Sequence, residues 1–264
     1  MSNKELSLFI FEGAKTEDIL IEKLERNFLG ERIAIKCVFD AEIYQLYKTI
    51  KADSFSLDIV NLLKERSNEN ADKLKEYNRD SFAYIYLFFD YDAHSTLADD
   101  NKISELLLFF NNETENGLLY ISYPMVEAIR HFKDKASFKS LVVKCKRRNC
   151  ISLESCPNKN TCLKEPHYKT FVPTDSRTQL SNVNAYSNEV WKELISAHVC
   201  KMNYLVLDKY EMPTALQTQS TIFNKQLEKH INQKCAKVAV LSAFPLFILD
   251  YYGCERLKQK LEQI

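Results

Sequence analysis

Residues 82–89 read Phe-Ala-Tyr-Ile-Tyr-Leu-Phe-Phe, eight apolar or aromatic side chains in a row. A strand with one wet face alternates polar with apolar residues, so an unbroken run of this kind belongs to a strand covered on both faces, as in the middle of a parallel sheet. Parallel neighbours need long crossovers, and amphipathic stretches lie between this run and other short apolar ones. Residues 6–11 form such a run, followed by Glu12-Gly13 and an amphipathic segment over 19–28, with Thr16 expected to cap the helix and Glu17 and Asp18 in its first turn. Residues 32–39 predict a second strand, 41–50 a short helix, 54–77 a solvent-facing helix or pair of helices, and 102–110 another helix. After the turn-rich stretch 111–117, residues 118–122 predict a strand and 125–132 a helix. The expected class for residues 1–140 is α/β, a parallel sheet flanked by helices.

Composition removes several functions. The four glycines, Gly13, Gly30, Gly117 and Gly253, are too dispersed for a Walker loop or a dinucleotide fingerprint, each of which needs several glycines in one short turn. Lys+Arg and Asp+Glu both number 36, so no bulk charge draws the chain to polyanions and any nucleic-acid contact is local. Residues 1–8 lack the basic flank and apolar run of a signal peptide. The longest apolar stretch, 238–249, is interrupted by Ser242 and Pro245 and falls short of the roughly 20 residues a membrane span needs. A soluble, cytoplasmic protein without a membrane partner is the expectation.

The composition changes after residue 140. Four of the eight cysteines, Cys145, Cys150, Cys156 and Cys162, fall close together in a stretch with little apolar material, followed by His167. Without a secretory signal, a disulfide framework is disfavoured. A structural Zn²⁺ held by these four thiolates would replace the missing core; reduced thiols on a loop and an iron–sulfur cluster are the alternatives. The other four, Cys37, Cys200, Cys235 and Cys254, read as core residues. Lys144, Lys146, Arg147 and Arg148 make a basic run that either holds a nucleic-acid backbone or is a solvated turn. Residues 182–200, 214–233 and 244–261 predict helices. The expected organisation is thus a domain over 1–140, a Cys-rich segment over 141–172 and a mostly helical region over 173–264.

Carboxylates follow the predicted strands: Glu12 after the first, Asp90 and Asp92 after the apolar central one, Glu127 just past the last. Residues that follow the C-terminal ends of parallel strands gather at one edge. Asp90 and Asp92, two apart in an extended segment, would point the same way. Clustered carboxylates repel unless a hard cation such as Mg²⁺ neutralises them, and such a site suits phosphodiester chemistry, with Glu12 as metal ligand or general base. At the turn after Glu12, the ammonium of Lys15 and the hydroxyl of Thr16 could contact a phosphate. His94 is a lesser candidate for proton transfer, and His131 and His198 read as packed or exposed rather than catalytic.

These motifs resemble a known family. Glu12-Gly13-Ala14-Lys15-Thr16-Glu17 is similar to the E-G-x-x-T-E opening of Toprim proteins, Asp90-Tyr91-Asp92 to their D-x-D, and Ser122-Tyr123-Pro124-Met125-Val126-Glu127 to the S-x-P-x-x-E of Toprim-like nucleases in phage defence. The resemblance spans about residues 5–135. It implies a Toprim-like sheet and a nuclease of the abortive-infection type, related to overcoming-lysogenization-defect enzymes, cleaving DNA or RNA, tRNA included. Glu12, Asp90 and Asp92 would hold Mg²⁺ or Mn²⁺, with Glu127 an auxiliary ligand. Those relatives carry an ATPase domain on the same chain, which the glycine count excludes here, so a separate ATPase subunit is the implied partner, with a homodimer as a further one. A non-catalytic Toprim-like scaffold is the alternative.

Overall fold

The computed structural model describes residues 5–13, 15–29, 34–145, 167–178 and 182–263, which divide into two compact units, 1–89 with 99–120 and 90–98 with 121–264. The expected partition near residue 140 therefore falls inside the second unit.

Among the described residues the first unit carries a five-stranded sheet. Its strands are β1 (Ser7–Phe11), β2 (Ala34–Val38), β3 (Tyr84–Asp90), β4 (Asn111–Asn112) and β5 (Gly117–Ser122), in the order β2-β1-β3-β5-β4. β1 runs parallel to both neighbours, with Phe11 level with Val38 on one side and Phe88 on the other. The apolar run is thus interior, as expected. β4 pairs antiparallel with β5, so the stretch read as turn is a short hairpin.

Side chains on the sheet explain the order. Phe9 and Phe11 of β1, Phe88 of β3 and Tyr120 of β5 stack across one face, with ring centroids 5.4 Å apart for Phe11–Phe88 and for Phe88–Tyr120. Such pairs are each worth about 0.5–1.5 kcal/mol beyond the area they bury. Leu8, Ile10, Ile85 and Leu87, alternating with these rings along β1 and β3, are fully buried. Gly117 begins β5 with φ of +122°, and a Cβ there would lie 2.6 Å from Leu87 Cδ1, so this position needs glycine for both backbone and space.

The crossovers are α1 (Lys15–Leu24), α2 (Ile43–Ala52), α3 (Ile59–Arg66), α4 (Asn68–Lys73) and α5 (Asp100–Phe109). α1 begins at Lys15, which puts Thr16 within the first turn rather than at the cap. α2 buries Ile43, Leu46 and Ile50, an i, i+3, i+7 stripe. The pair α3 and α4 is only partly solvent-facing: α3 buries Ile59, Val60, Leu62 and Leu63. Asp58 and Ser67 accept from the amides of Val60 and Asn70 and so cap them. Asn70 also closes the outer edge of β2. Its side chain donates to the Val38 carbonyl at 2.8 Å and accepts the Val38 amide at 3.3 Å.

The second unit is mostly helical, with α6 (Lys135–Lys139), α7 (Tyr168–Phe171), α8 (Asn188–Leu207), α9 (Gln219–Gln226), α10 (Ala243–Tyr252) and α11 (Cys254–Gln263). A two-stranded antiparallel sheet, β6 (Val142–Lys144) with β7 (Lys237–Ala239), is an element that helix-based reading of this region does not anticipate. Gln226 caps the edge of β7 as Asn70 caps β2, donating to the Ala239 carbonyl at 2.8 Å and accepting its amide at 2.9 Å. α8 starts at the Ser187 cap and ends at Asp208, whose φ of +62° is left-handed. It buries Trp191, Leu194, Ile195 and Met202, and α10 buries every residue from Ala243 to Leu249. Residues 125–132, expected as helix, hold a short 3₁₀ segment, Val126–Arg130. Of the cysteines expected in the core, Cys37 is buried but Cys200, Cys235 and Cys254 are half-buried. No described helix is long and apolar enough to cross a membrane.

Candidate active site

Glu12 directly follows β1. Its amide donates to the Phe88 carbonyl at 3.0 Å, and its own carbonyl accepts the Asp40 amide at 3.0 Å, so its backbone is held between the neighbouring segments. A Cβ on Gly13 would sit 3.7 Å from Glu17 Oε1, an ordinary van der Waals contact. Glu17, read from sequence as a first-turn acid, is buried and turns back toward that glycine. Thr16 is half-buried, and the Lys15 side chain lies outside what is described.

Asp90 is the last residue of β3, and Asp90 and Asp92 are 7% and 9% exposed. Tyr91 between them is fully buried and its amide donates to the Ser122 carbonyl at 3.0 Å. Asp92 adopts φ of +43°, so the backbone leaves the extended conformation at this residue. The left-handed turn is locked from both sides: the Asp92 amide donates to the Pro124 carbonyl at 3.3 Å and its carbonyl accepts the Ser95 amide at 2.9 Å. His94 Nδ1 is 3.7 Å from Asp92 Oδ1.

Glu127 sits in the 3₁₀ segment after β5, 2% exposed, with Oε1 3.6 Å from Arg130 Nη2. Its Oε2 is buried and accepts no hydrogen bond among the described residues. The serine of the same motif has a structural task, since Ser122 Oγ accepts the Ala243 amide at the start of α10.

The second unit also contains a buried polar chain that sequence reading missed. Tyr168 Oη lies 2.9 Å from His131 Nδ1, His131 Nε2 is 3.5 Å from Asp175 Oδ2, and Arg177 grips Asp175 through Nε at 2.8 Å and Nη2 at 2.5 Å. Burial pulls His131 down to about 4 against the opposing pull of Asp175. The Arg177 guanidinium holds the Asp175 carboxyl down at about 2. Burial, reinforced by the Glu127 charge, pushes the Tyr168 phenol well above its ordinary value. His131 Nδ1 and Tyr168 Oη share a hydrogen bond whose donor is set by the imidazole tautomer, while His131 Nε2 faces Asp175 across 3.5 Å with no hydrogen-bond partner among the described residues. The one local signal is the Asp-x-Arg spacing of 175–177; nothing in the sequence ties it to His131.

The four acids offer an all-oxygen donor set, which suits a hard cation. Among the described residues, no three His, Cys, Asp or Glu side chains stand together as a group that could hold a metal ion. Of the cysteine cluster, Cys145 is buried, while Cys150, Cys156 and Cys162, like Lys146, Arg147 and Arg148, lie outside the described residues. His198 is packed, with Nδ1 accepting the Ser242 amide at 3.1 Å, and burial raises the Cys200 thiol, the reverse of what a nucleophile needs.

No family model, curated protein or solved structure matches this chain.

Proposed function

We propose that the chain is a Toprim-type nuclease that hydrolyses phosphodiester bonds of DNA or RNA with Mg²⁺ or Mn²⁺, in phage defence of the abortive-infection kind and under the control of a separate ATPase subunit. One observation carries this reading: Glu12 follows β1 and Asp90 ends β3, and these strands are hydrogen-bonded parallel neighbours with Phe11 level with Phe88. Acids at the carboxyl ends of adjacent parallel strands are where α/β proteins put ligands and chemistry.

A bound Mg²⁺ or Mn²⁺ would supply Lewis-acid polarisation of the phosphoryl group and a water of lowered pKa. Of the chain's own groups, Asp90 and Asp92 would hold the ion and Glu12 would ligate it or take the proton of the attacking water. Glu127 is suited to an auxiliary part by its buried Oε2. Lys15 and Thr16 would steady the phosphate.

The test is incubation of the pure protein with DNA and with total RNA under Mn²⁺, beside Glu12→Gln and Asp90→Asn. The wild type is expected to cleave one of them and each variant to lose about 10³-fold, the scale of several kcal/mol of lost charge stabilisation. Undiminished cleavage by both variants would refute the assignment. If the wild type does not cleave, and calorimetry finds no Mn²⁺ binding that depends on Asp90 and Asp92, the chain is the non-catalytic scaffold instead.

A further inference from the structure

A cavity of about 500 Å³ opens in the second unit, lined by Asp92, His94, Met125, Lys144, His167 and Phe171 among others. That size suits a small organic ligand; a bare ion would leave most of it to solvent. The lining divides by chemistry. Pro124, Met125, Val143 and Phe171 are apolar, and the rings of His94 and His167 stand edge to face with centroids 5.0 Å apart. Lys144 brings positive charge and Asp92 an acceptor, and the guanidinium of Arg177, paired with Asp175 through Nε and Nη2, also lines the cavity. The wall formed by Tyr168 is stiffened from behind by the hydrogen bond between its hydroxyl and the buried His131. Apolar and imidazole surfaces suit a planar heterocycle, the ammonium suits an attached phosphate, and a carboxylate suits an amino or hydroxyl donor.

We infer that this cavity binds a nucleotide, with the base among Phe171, Met125 and the two imidazoles and the phosphate toward Lys144. The inference rests on the nuclease reading in that Asp92 belongs to both, and it adds the unit of substrate that the site grips. A free mononucleotide and one nucleotide of a single strand present the same chemistry.

The experiment uses the full chain as Asp90→Asn in EDTA, so that no substrate is cut. AMP, GMP, CMP and UMP are titrated by calorimetry, and a labelled single-stranded decamer by fluorescence anisotropy. At least one monophosphate should bind saturably, with Phe171→Ala and His167→Ala each weakening it tenfold or more and Phe171→Tyr retaining it. Displacement of that monophosphate by unlabelled decamer identifies the source as a strand, and failure to displace it identifies a free nucleotide. No saturable binding of any monophosphate, or binding indifferent to both alanine variants when their thermal melts match the parent, overturns the inference. Cleavage by the otherwise wild-type chain separates the two readings. Cleavage by a chain whose Asp90→Asn form binds no monophosphate removes the nucleotide cavity and leaves the nuclease, whereas monophosphate binding by a chain that never cleaves does the reverse.

Discussion

His131 shows how one buried residue ties stability to pH. Its imidazole is fully buried, titrating at about 4 against 6.5 when unfolded, so the unfolded chain takes up a proton that the folded one refuses as pH falls through this window. Stability is therefore complete above pH 6.5 and is lost toward pH 4, by about 3 kcal/mol from this residue. Urea unfolding at pH 7.5 and 4.5 should show the loss, and His131→Asn should flatten it; an unchanged slope in the variant would count against the assignment. Asp175 acts in a separate, more acidic window. Its carboxyl is held at about 2, so the stability it contributes is present above its ordinary 3.8 and is lost only as pH falls from there toward 2. The chain Tyr168–His131–Asp175–Arg177 is thus a neutral hydrogen-bonded pair resting on an ion pair through the physiological range.

At the scale of elements, both units close an exposed strand edge with one amide side chain. Asn70 satisfies the amide and carbonyl of Val38 on β2, and Gln226 those of Ala239 on β7. A strand edge left open invites pairing with another chain, and an amide is the side chain that offers a donor and an acceptor together. Asn70 is 2% exposed, so Asn70→Ala should cost about 2 kcal/mol by leaving two backbone groups unpaired, and Asn70→Asp should cost no less because a carboxylate then faces the Val38 carbonyl. Chemical denaturation checks both, and a loss below about 0.5 kcal/mol would show that the edge is satisfied otherwise. Gly117→Ala should cost about 2 kcal/mol or more, from the positive φ and the collision with Leu87 together. The same melt reads it, and a stability within error of wild type would mean that β5 shifts to make room.

For the whole molecule, balanced charge limits how nucleic acid can be held. With 36 basic and 36 acidic residues, attraction on the proposed nuclease reading would come from local groups such as Lys144, Lys146, Arg147 and Arg148. Four such contacts to a single strand release few counterions, so log K against log salt should have a slope of about −3. Anisotropy over a salt series measures it, and a slope of −6 or steeper would reveal a larger basic surface. What the amino-acid order determined by itself is what rests on local burial: an unbroken apolar run reports a strand covered on both faces, and the acids that follow such runs report strand ends. The interior place of residues 84–90, the parallel pairing of β1 and the positions of Glu12 and Asp90 follow from that. Tertiary structure alone decided the turn at Asp92, the β6–β7 pair, the edge-closing amides and the Tyr168–His131–Asp175–Arg177 chain. Each depends on groups far apart along the chain whose hydrogen bonds form only once packing has excluded water, and no spacing or periodicity within a segment encodes that meeting.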